Sequence, residues 1–282
     1  MTHRNNFATY LSPAKLNLGL KITGKRPDGY HLLKTVFCLI DLFDEIDIQV
    51  TDNGKISLID HRQAWPYHHD LIYRAAILLH EFGKPKFGVN INVQKTIPSG
   101  AGLGGGSSNA ATLLIVLNRL WNINATHDEL MLLGARLGAD VPFFIYGKNA
   151  VATGIGDIFT PIDIEEQYFV LVQPSFHIPT KNIFSHLNFN MNQINHEEIS
   201  TEKLISTHEN DLFATAIKLY PQLLEIRDEL QEYGKPAMTG SGSTMYLSFL
   251  EKNIAKKVAK KLENRYNTYL VKRLEHSPLQ HS

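Results

Sequence analysis

A glycine-rich stretch near residue 100 is the part of this sequence best suited to bind an anion. Residues 98–109 read Pro-Ser-Gly-Ala-Gly-Leu-Gly-Gly-Gly-Ser-Ser-Asn, with five glycines within seven positions. Apolar residues then recur at helical spacing, so we expect a helix that begins near Ser107, with Ser107 or Ser108 as its N-cap. A glycine loop that leads into a helix N-terminus presents backbone N–H groups and the positive end of the helix dipole. The stretch therefore predicts a phosphate site.

Several interpretations compete for this loop. Gly100, Gly102 and Gly105 fit the dinucleotide fingerprint, but that motif requires a strand that runs directly into its first glycine. Here the expected strand, residues 89–93, is separated from the first glycine by a segment that includes Lys-Thr-Ile-Pro-Ser at residues 95–99. A Walker loop would need lysine in place of Gly106, and a protein kinase would need H-R-D and D-F-G motifs. A turn without a ligand is disfavoured because glycine loses the most entropy on ordering.

Composition excludes some classes of partner. The 282 residues carry 28 basic and 28 acidic side chains, so the formal net charge is zero and a broad basic surface for nucleic acid is not indicated. The single cysteine, Cys38, lies among apolar residues, which indicates a buried thiol in a reducing compartment. Neither a signal core nor an apolar run of membrane-spanning length is found, so we expect no membrane partner and a cytoplasmic protein.

Two charged residues lie in settings that invite a catalytic interpretation. Leucines alternate with polar or small residues over residues 15–22, which predicts a half-buried strand with Lys15 and Asn17 on one face. The ordinary interpretation of Lys15 is a solvated strand lysine. Asp140 lies between apolar residues, where it would either cap a short helix or require a cationic partner if buried. Lys15 is a candidate for that partner.

The remaining pattern predicts an α+β protein. Pro-Asp-Gly at residues 27–29 predicts a tight turn, with Tyr30 and His31 just beyond it, where they could serve simply as packing residues. Residues 174–181 are expected to form an extended loop, and residues 188–202 a mobile polar surface segment. Strands are expected at residues 36–40, 45–50, 168–173 and 245–249, and helices from Asp70 and at residues 126–137, 211–220, 221–233 and 253–264.

The glycine loop closely resembles the phosphate loop of the GHMP kinases, the superfamily of galactokinase, homoserine kinase and mevalonate kinase. Pro-Ala-Lys-Leu-Asn-Leu at residues 13–18 and Arg-Pro-Asp-Gly-Tyr-His at residues 26–31 are similar to one branch of it. Members of that branch phosphorylate the 2-hydroxyl of 4-diphosphocytidyl-2-C-methyl-D-erythritol in the non-mevalonate isoprenoid pathway. Matches at residues 138–142, 210–212 and 239–242 extend the resemblance over nearly the whole chain.

The resemblance implies a two-domain GHMP kinase fold. An ATP-binding domain at residues 1–160 would hold a mixed or antiparallel sheet with helices, similar to domain 2 of ribosomal protein S5. A substrate-side domain at residues 161–282 would be ferredoxin-like. ATP and Mg²⁺ would be the cofactors, and a cytidyl diphosphate sugar alcohol the small-molecule substrate. Ser107 and Asp140 are candidate Mg²⁺ ligands, and the choice between monomer and dimer stays open.

The resemblance also assigns roles to residues. Asp140 matches the general base and Lys15 the lysine that pairs with it, although Asp140 could equally act as an orienter of the hydroxyl. Asp70 stands where the family usually has an asparagine near the adenine. The residues matched to the ATP site are Lys95, Pro98, Ser99, Gly100, Ala101, Gly102, Leu103, Gly104, Gly105, Gly106, Ser107, Ser108 and Asn109. Those matched to the acceptor site are Asn17, Tyr30, His31, Thr180 and Phe184.

Two other functions remain as alternatives. One is a GHMP kinase for another small alcohol, such as homoserine or mevalonate. The other is a catalytically silent ligand sensor on the same fold. Tyr30, His31 and Phe184 favour an acceptor with an aromatic base, and the presence of both Lys15 and Asp140 argues against a sensor.

Overall fold

The computed structural model describes residues 7–59, 69–187 and 200–280, which form two sheets with helices packed on them. Within these ranges the strands are β1 (Ala8–Lys25), β2 (His31–Thr51), β3 (Ile56–Leu58), β4 (Gly88–Gln94), β5 (Ala150–Thr153), β6 (Ile158–Pro161), β7 (Tyr168–Gln173), β8 (Ala237–Met238), β9 (Met245–Phe249) and β10 (Asn267–Lys272). The helices are α1 (Leu71–Gly83), α2 (Gly105–Leu120), α3 (His127–Leu137), α4 (Val141–Tyr146), α5 (Thr180–His186), α6 (Thr201–Thr207), α7 (Leu212–Leu219), α8 (Gln222–Leu230) and α9 (Lys252–Leu262).

The first sheet is built around the long hairpin of β1 and β2, which the turn at residues 27–29 closes as expected. The two strands predicted at residues 36–40 and 45–50 are one continuous strand, because β2 stays paired with β1 on both sides of a register shift at Pro13 and Ala14. The sheet has the order β3-β4-β2-β5-β6, with β1 also on β2. The β3–β4 pair is parallel and the other pairs are antiparallel. The sheet is therefore mixed, as predicted.

The helices of the first half bury an apolar core against this sheet. Leu113, Leu114 and Leu117 of α2 are fully buried, as the helical spacing predicts. Asp70 caps α1 through Ile72 N, and Thr126 forms a capping box with Glu129 at α3, so both helices begin where the sequence predicts.

The second sheet is antiparallel with the strand order β10-β7-β9-β8. Its elements follow the chain order strand, helices, strand, strand, helix, strand, which is the ferredoxin-like pattern. The α+β class and the ferredoxin-like second half are thus confirmed. The division of the chain at residue 160 stays a prediction.

A third apolar cluster joins the two sheets. Leu16 and Leu18 of β1 and Cys38 of β2 lie in one cluster with Phe169 of β7 and Tyr246 of β9. Burial raises the pKa of the Cys38 thiol to about 12, so this cysteine is the unreactive core residue that the sequence predicts. The cluster fixes β1, which carries Lys15 and Asn17, against both halves of the molecule.

Some local expectations were wrong. Helix α2 begins at Gly105 rather than near Ser107, and its N-cap is Gly104 without a side-chain bond, because Gly104 adopts a left-handed φ of 73°. The loop expected at residues 174–181 ends earlier, because Thr180 opens α5. Strand β10 was not foreseen. Of the segment expected to be mobile, residues 188–199 lie outside the described residues. No helix in the described part of the chain is both long and apolar enough to cross a membrane.

Candidate active site

The glycine loop needs its glycines for two separate reasons. Gly100, Gly102 and Gly104 have φ values of 65°, 79° and 73°, a region that residues with a side chain rarely adopt. The backbone also approaches its neighbours closely: a Cβ on Gly104 would lie 2.8 Å from the ring of Phe144. A Cβ on Gly102 would lie 2.5 Å from the carbonyl oxygen of Thr239. Glycine is therefore required at these positions by the backbone conformation and the close packing, which would not be the case in a simple surface turn.

A second glycine turn, residues 239–243, supports the loop from the other half of the molecule. The backbone N–H of Thr244 donates to the Ala101 carbonyl at 3.3 Å. Thr239 Oγ1 accepts from the backbone N–H of Asn17 at 3.0 Å. Gly240 has a φ of 55°, and a Cβ there would lie 3.2 Å from Asn17 Oδ1. The sequence singles out this motif but gives no hint that Gly240 and Ser241 line the site, since that depends on contact between two distant turns.

Lys15 is the buried cation of the site. Its Nζ donates to Asn17 Oδ1 at 2.7 Å and lies 3.8 Å from Asp140 Oδ2, while the side chain is only 4% exposed. The prediction that this strand is half-buried was therefore wrong, and so was the ordinary interpretation of Lys15 as a solvated lysine. The glycine loop covers this face of β1, and the backbone N–H of Lys15 donates to the Leu103 carbonyl at 3.0 Å. Burial lowers the pKa of the Lys15 ammonium, and the Asp140 carboxylate opposes that shift.

Asp140 is the exposed partner of this pair. Its side chain is 39% exposed and faces the cavity, and Lys15 is its cationic neighbour. It occupies the N-cap position of α4 but makes no side-chain bond to the helix. The carboxylate consequently has free acceptor capacity beside an ammonium group, which suits it to accept a hydrogen bond from a hydroxyl.

An aromatic slot lies at the other end of the site. His31 is buried, Tyr30 is 59% exposed, and the rings of His31 and Phe184 have centroids 5.5 Å apart with a tilt of 35°. Burial lowers the pKa of His31, which favours the neutral ring at pH 7. Thr180 Oγ1 lies 2.8 Å from Ser241 Oγ, which ties α5 to the second glycine turn. Flat apolar and hydrogen-bonding groups in this arrangement suit a planar heterocycle.

One cavity of about 790 Å³ unites the loop, the Lys15–Asp140 pair and the aromatic slot. Ser108, Leu103 and Asn109 do not line it, because their side chains are buried behind the loop. Lys95 does not line it either, and forms an ion pair with Asp44. The predicted residues that line the cavity are Lys15, Asn17, Tyr30, His31, Pro98, Ser99, Gly100, Ala101, Gly102, Gly104, Gly105, Gly106, Ser107, Asp140, Thr180 and Phe184.

Several lining residues were not foreseen. Leu20, Thr35 and Phe37 lie on β1 and β2 beneath the slot, and Lys15 Nζ lies 5.3 Å from the Phe37 ring centroid. Strand patterning gives no signal for them, because their role depends on which face the second half of the molecule covers. Asp70 caps α1 and does not line the cavity, whereas the next residue, Leu71, does.

The oxygen donors of the cavity suit a magnesium ion that is held mainly by water and substrate phosphates. Among the described residues, no three His, Cys, Asp or Glu side chains are placed to hold a metal together. Asp140 and Ser107 do line the same cavity. Mg²⁺ keeps several waters and commonly takes one or two protein oxygens together with substrate phosphates, so these residues fit such an ion.

Comparison with known proteins gives consistent matches. Residues 70–148 match the GHMP kinases N terminal domain, and residues 194–268 match the GHMP kinases C terminal domain. Relatives named 4-diphosphocytidyl-2-C-methyl-D-erythritol kinase include one from Neisseria meningitidis serogroup B, 44% identical over 96% of each chain. Another, from Chromobacterium violaceum, is 42% identical over 97% of each chain.

Solved structures agree with these matches. A crystal structure of 4-(cytidine 5′-diphospho)-2C-methyl-D-erythritol kinase is 31% identical, with a TM-score of 0.82, and the match covers 94% of this chain and 99% of that one. A mevalonate kinase from Methanococcus jannaschii, 16% identical, has a TM-score of 0.70 over 96% of this chain and 99% of that one, which shows a shared fold.

Proposed function

Because the chain belongs to the GHMP kinase family, in the branch of the 4-diphosphocytidyl-2-C-methyl-D-erythritol kinases, we propose that it phosphorylates the 2-hydroxyl of that compound. ATP is the phosphate donor, and the products are the 2-phosphate and ADP. The observation that carries the proposal is the Lys15–Asp140 pair, which shares one cavity with the glycine loop and the aromatic slot. The loop alone supports phosphate binding, whereas the pair supports transfer to a hydroxyl.

The donor side of the reaction rests on backbone groups. Phosphoryl transfer mainly requires that the reactants be positioned and that charge on the transferred group be stabilised. The N–H groups of the glycine loop and the N-terminal end of α2 supply both at the phosphates of ATP. This arrangement explains how the site can work without the lysine of a Walker loop.

The acceptor side rests on Asp140 and Lys15. The acceptor oxygen forms a bond to the γ-phosphorus, the bond from that phosphorus to the β–γ bridging oxygen breaks, and ADP leaves. Asp140 accepts the hydroxyl proton, and the ammonium of Lys15 stabilises the negative charge that develops on the oxygen. Since any carboxylate is a far weaker base than the alkoxide that loss of the hydroxyl proton would leave, we place proton transfer late, with Asp140 first orienting the hydroxyl.

The aromatic slot positions the far end of the acceptor. The rings of Tyr30, His31 and Phe184 would hold the cytosine, and Asn17 and Thr180 would lie along the chain toward the methylerythritol. A bound Mg²⁺ would neutralise charge on the β- and γ-phosphates, with Asp140 and Ser107 as its candidate protein ligands.

An ADP-release assay tests this function. The purified protein is given ATP and Mg²⁺ with the cytidyl acceptor, mevalonate or homoserine. Turnover with the cytidyl acceptor alone is the expected result. Turnover confined to mevalonate or homoserine would instead identify a kinase for another alcohol. No ADP release with any acceptor would support a silent sensor and contradict the proposal.

A further inference from the structure

A buried carboxylate that the reaction does not use lies behind the glycine loop. Asp44 of β2 is fully buried, and four donors point at it. Its Oδ1 accepts from the backbone N–H groups of Thr96 and Ile97, each at 2.8 Å. Its Oδ2 accepts from Asn109 Nδ2 at 2.9 Å and from the ammonium of Lys95.

The donors come from both ends of the loop. Residues 95–97 immediately precede Pro98, and Asn109 lies in α2 just beyond the last serine. A single carboxylate thus joins the entry and the exit of residues 98–106. The neighbouring strand β1 adds a second hydrogen bond to the exit of the loop. Ser12, which pairs with Asp44 in the sheet, donates to Ser108 Oγ at 2.7 Å.

This arrangement is stable only while it is complete. A buried carboxylate is costly unless it is paired and hydrogen-bonded, and removing one partner leaves the others unsatisfied. The loop itself is rich in glycine, so it has unusual freedom when its ends are not held. Fixed ends therefore reduce the entropy that the loop must lose when it binds phosphate.

We propose that Asp44 is a positioning residue for the phosphate loop, which holds the two ends of the loop at the spacing that binds the triphosphate of ATP. This inference rests on the proposed kinase function. It also gives Lys95 a different role from the one matched by resemblance: Lys95 acts on the loop through Asp44, with its ammonium neutralising the buried carboxylate.

The first experiment compares Asp44→Asn with Asp47→Asn. The amide at position 44 keeps the shape of the side chain but presents an NH₂ group where Lys95 and Asn109 need an acceptor. Hydrogen bonds to charged groups are strong enough that we expect the KM for ATP to rise about tenfold to a hundredfold. The KM for the acceptor should change less than twofold. Asp47, three residues along β2, accepts hydrogen bonds from Thr9, Asn92 and Gln94, none of which belongs to residues 95–109, and its variant should keep both values.

A second variant covers the case in which Asp44→Asn does not fold. Asn109 is buried behind the loop and its Nδ2 donates to the Asp44 carboxylate, so Asn109→Ala removes one of the four hydrogen bonds to Asp44 while the charge pair remains. We expect about a fivefold weaker affinity for a nonhydrolysable ATP analogue, measured by calorimetry without acceptor. Wild-type ATP affinity in every variant that folds, or an equal rise in both KM values, would overturn the proposal.

A double-variant cycle tests the role of Lys95. If Lys95 acts through Asp44, Lys95→Met combined with Asp44→Asn should weaken ATP binding no more than the stronger single change. Additive losses would show that Lys95 acts on the nucleotide independently and would overturn this part. Calorimetry of the wild-type protein with the same analogue separates the positioning role of Asp44 from the proposed kinase function. If the wild-type protein does not bind the analogue, the result contradicts the kinase function itself rather than the role of Asp44.

Discussion

The chemistry of the site depends on the different exposure of two residues, Lys15 and Asp140. Lys15 is buried and bonded to Asn17, whereas the Asp140 carboxylate, 3.8 Å from the ammonium, faces the cavity. A cation fixed by a neutral amide provides a positive potential without using up the acceptor atoms of the aspartate. The pair is therefore arranged to favour a substrate hydroxyl at Asp140 over a closed salt bridge.

The first prediction concerns the carboxylate. Asp140→Asn keeps the side-chain volume but removes the proton acceptor, and we expect kcat to fall at least about a hundredfold, the lower range for lost acid–base assistance. Steady-state ADP release at saturating ATP and acceptor measures this change. Asp128→Asn, at a side chain that is 99% exposed on α3, is the control. Turnover like wild type in the Asp140 variant would remove this residue from the mechanism.

The second prediction concerns the aromatic slot. Phe184→Ala removes the ring that lies 5.5 Å from His31, and a base stacked on an aromatic side chain is worth about 1–3 kcal/mol. We expect the KM for the acceptor to rise about tenfold and the KM for ATP to stay unchanged. Phe82→Ala removes an exposed ring on α1 and should alter neither value. An unchanged acceptor KM in the Phe184 variant would refute a stacking role.

Residue types could be predicted better than residue environments. Phosphate-binding glycines, the lysine and the aspartate follow from motifs that one stretch of sequence contains. The burial of Lys15 does not, because alternation along one strand cannot reveal that the loop at Leu103, 88 residues later in the chain, covers the polar face of that strand. For the same reason, the sequence does not reveal that Thr35 and Phe37 line the base of the slot.

At the scale of elements, the site depends on two glycine turns that support each other. The first leads from β4 to α2 and the second from β8 to β9, and they meet where the Thr244 N–H donates to the Ala101 carbonyl. Each turn places its glycines where the other backbone comes close. Local sequence predicts both turns, but only the packing of the two sheets brings them into contact.

The third prediction tests this close packing. Gly104→Ala adds a Cβ 2.8 Å from the Phe144 ring at a residue with a φ of 73°, and such strain costs about 1–3 kcal/mol. We expect a lower unfolding midpoint and at least a tenfold weaker affinity for an ATP analogue by calorimetry. Gly54→Ala is the matched control, because Gly54 has a φ of 66° but its nearest neighbour would be 3.7 Å away. Equal ATP affinity in both variants would contradict the prediction.

At the scale of the whole molecule, elements with strong periodic signals could be predicted and short ones could not. The apolar face of α2 and the strand β7 are evident in the sequence. Strands β3, β5 and β6 have three or four residues each and are formed by pairing with distant partners. Strand β10 is only partly buried at the edge of its sheet, so its alternation is weak.

One histidine connects the two sheets. His208, at the end of α6, has Nδ1 at 3.1 Å from the Leu18 carbonyl of β1 and Nε2 at 3.1 Å from Ser248 Oγ of β9. The ring also meets Tyr246 edge to face at 5.6 Å. Burial lowers the pKa of His208, the bond to the Leu18 carbonyl opposes this shift, and nearby Lys235 adds to it. The native fold therefore favours the neutral ring.

The last prediction follows from this pKa. The unfolded chain binds a proton at His208 near pH 6.5, before the native state does, so the free energy of unfolding should fall as the pH decreases from 6.5 toward 5. Protonation of one site lowers the free energy of unfolding by at most about 1.4 kcal/mol per pH unit, and above pH 7 this site causes no loss of stability. His208→Asn, which suits the left-handed backbone there, should flatten the slope measured by urea unfolding between pH 5 and 7. His127→Asn at an exposed position should keep the wild-type slope, and parallel curves for wild type and the His208 variant would refute the assignment.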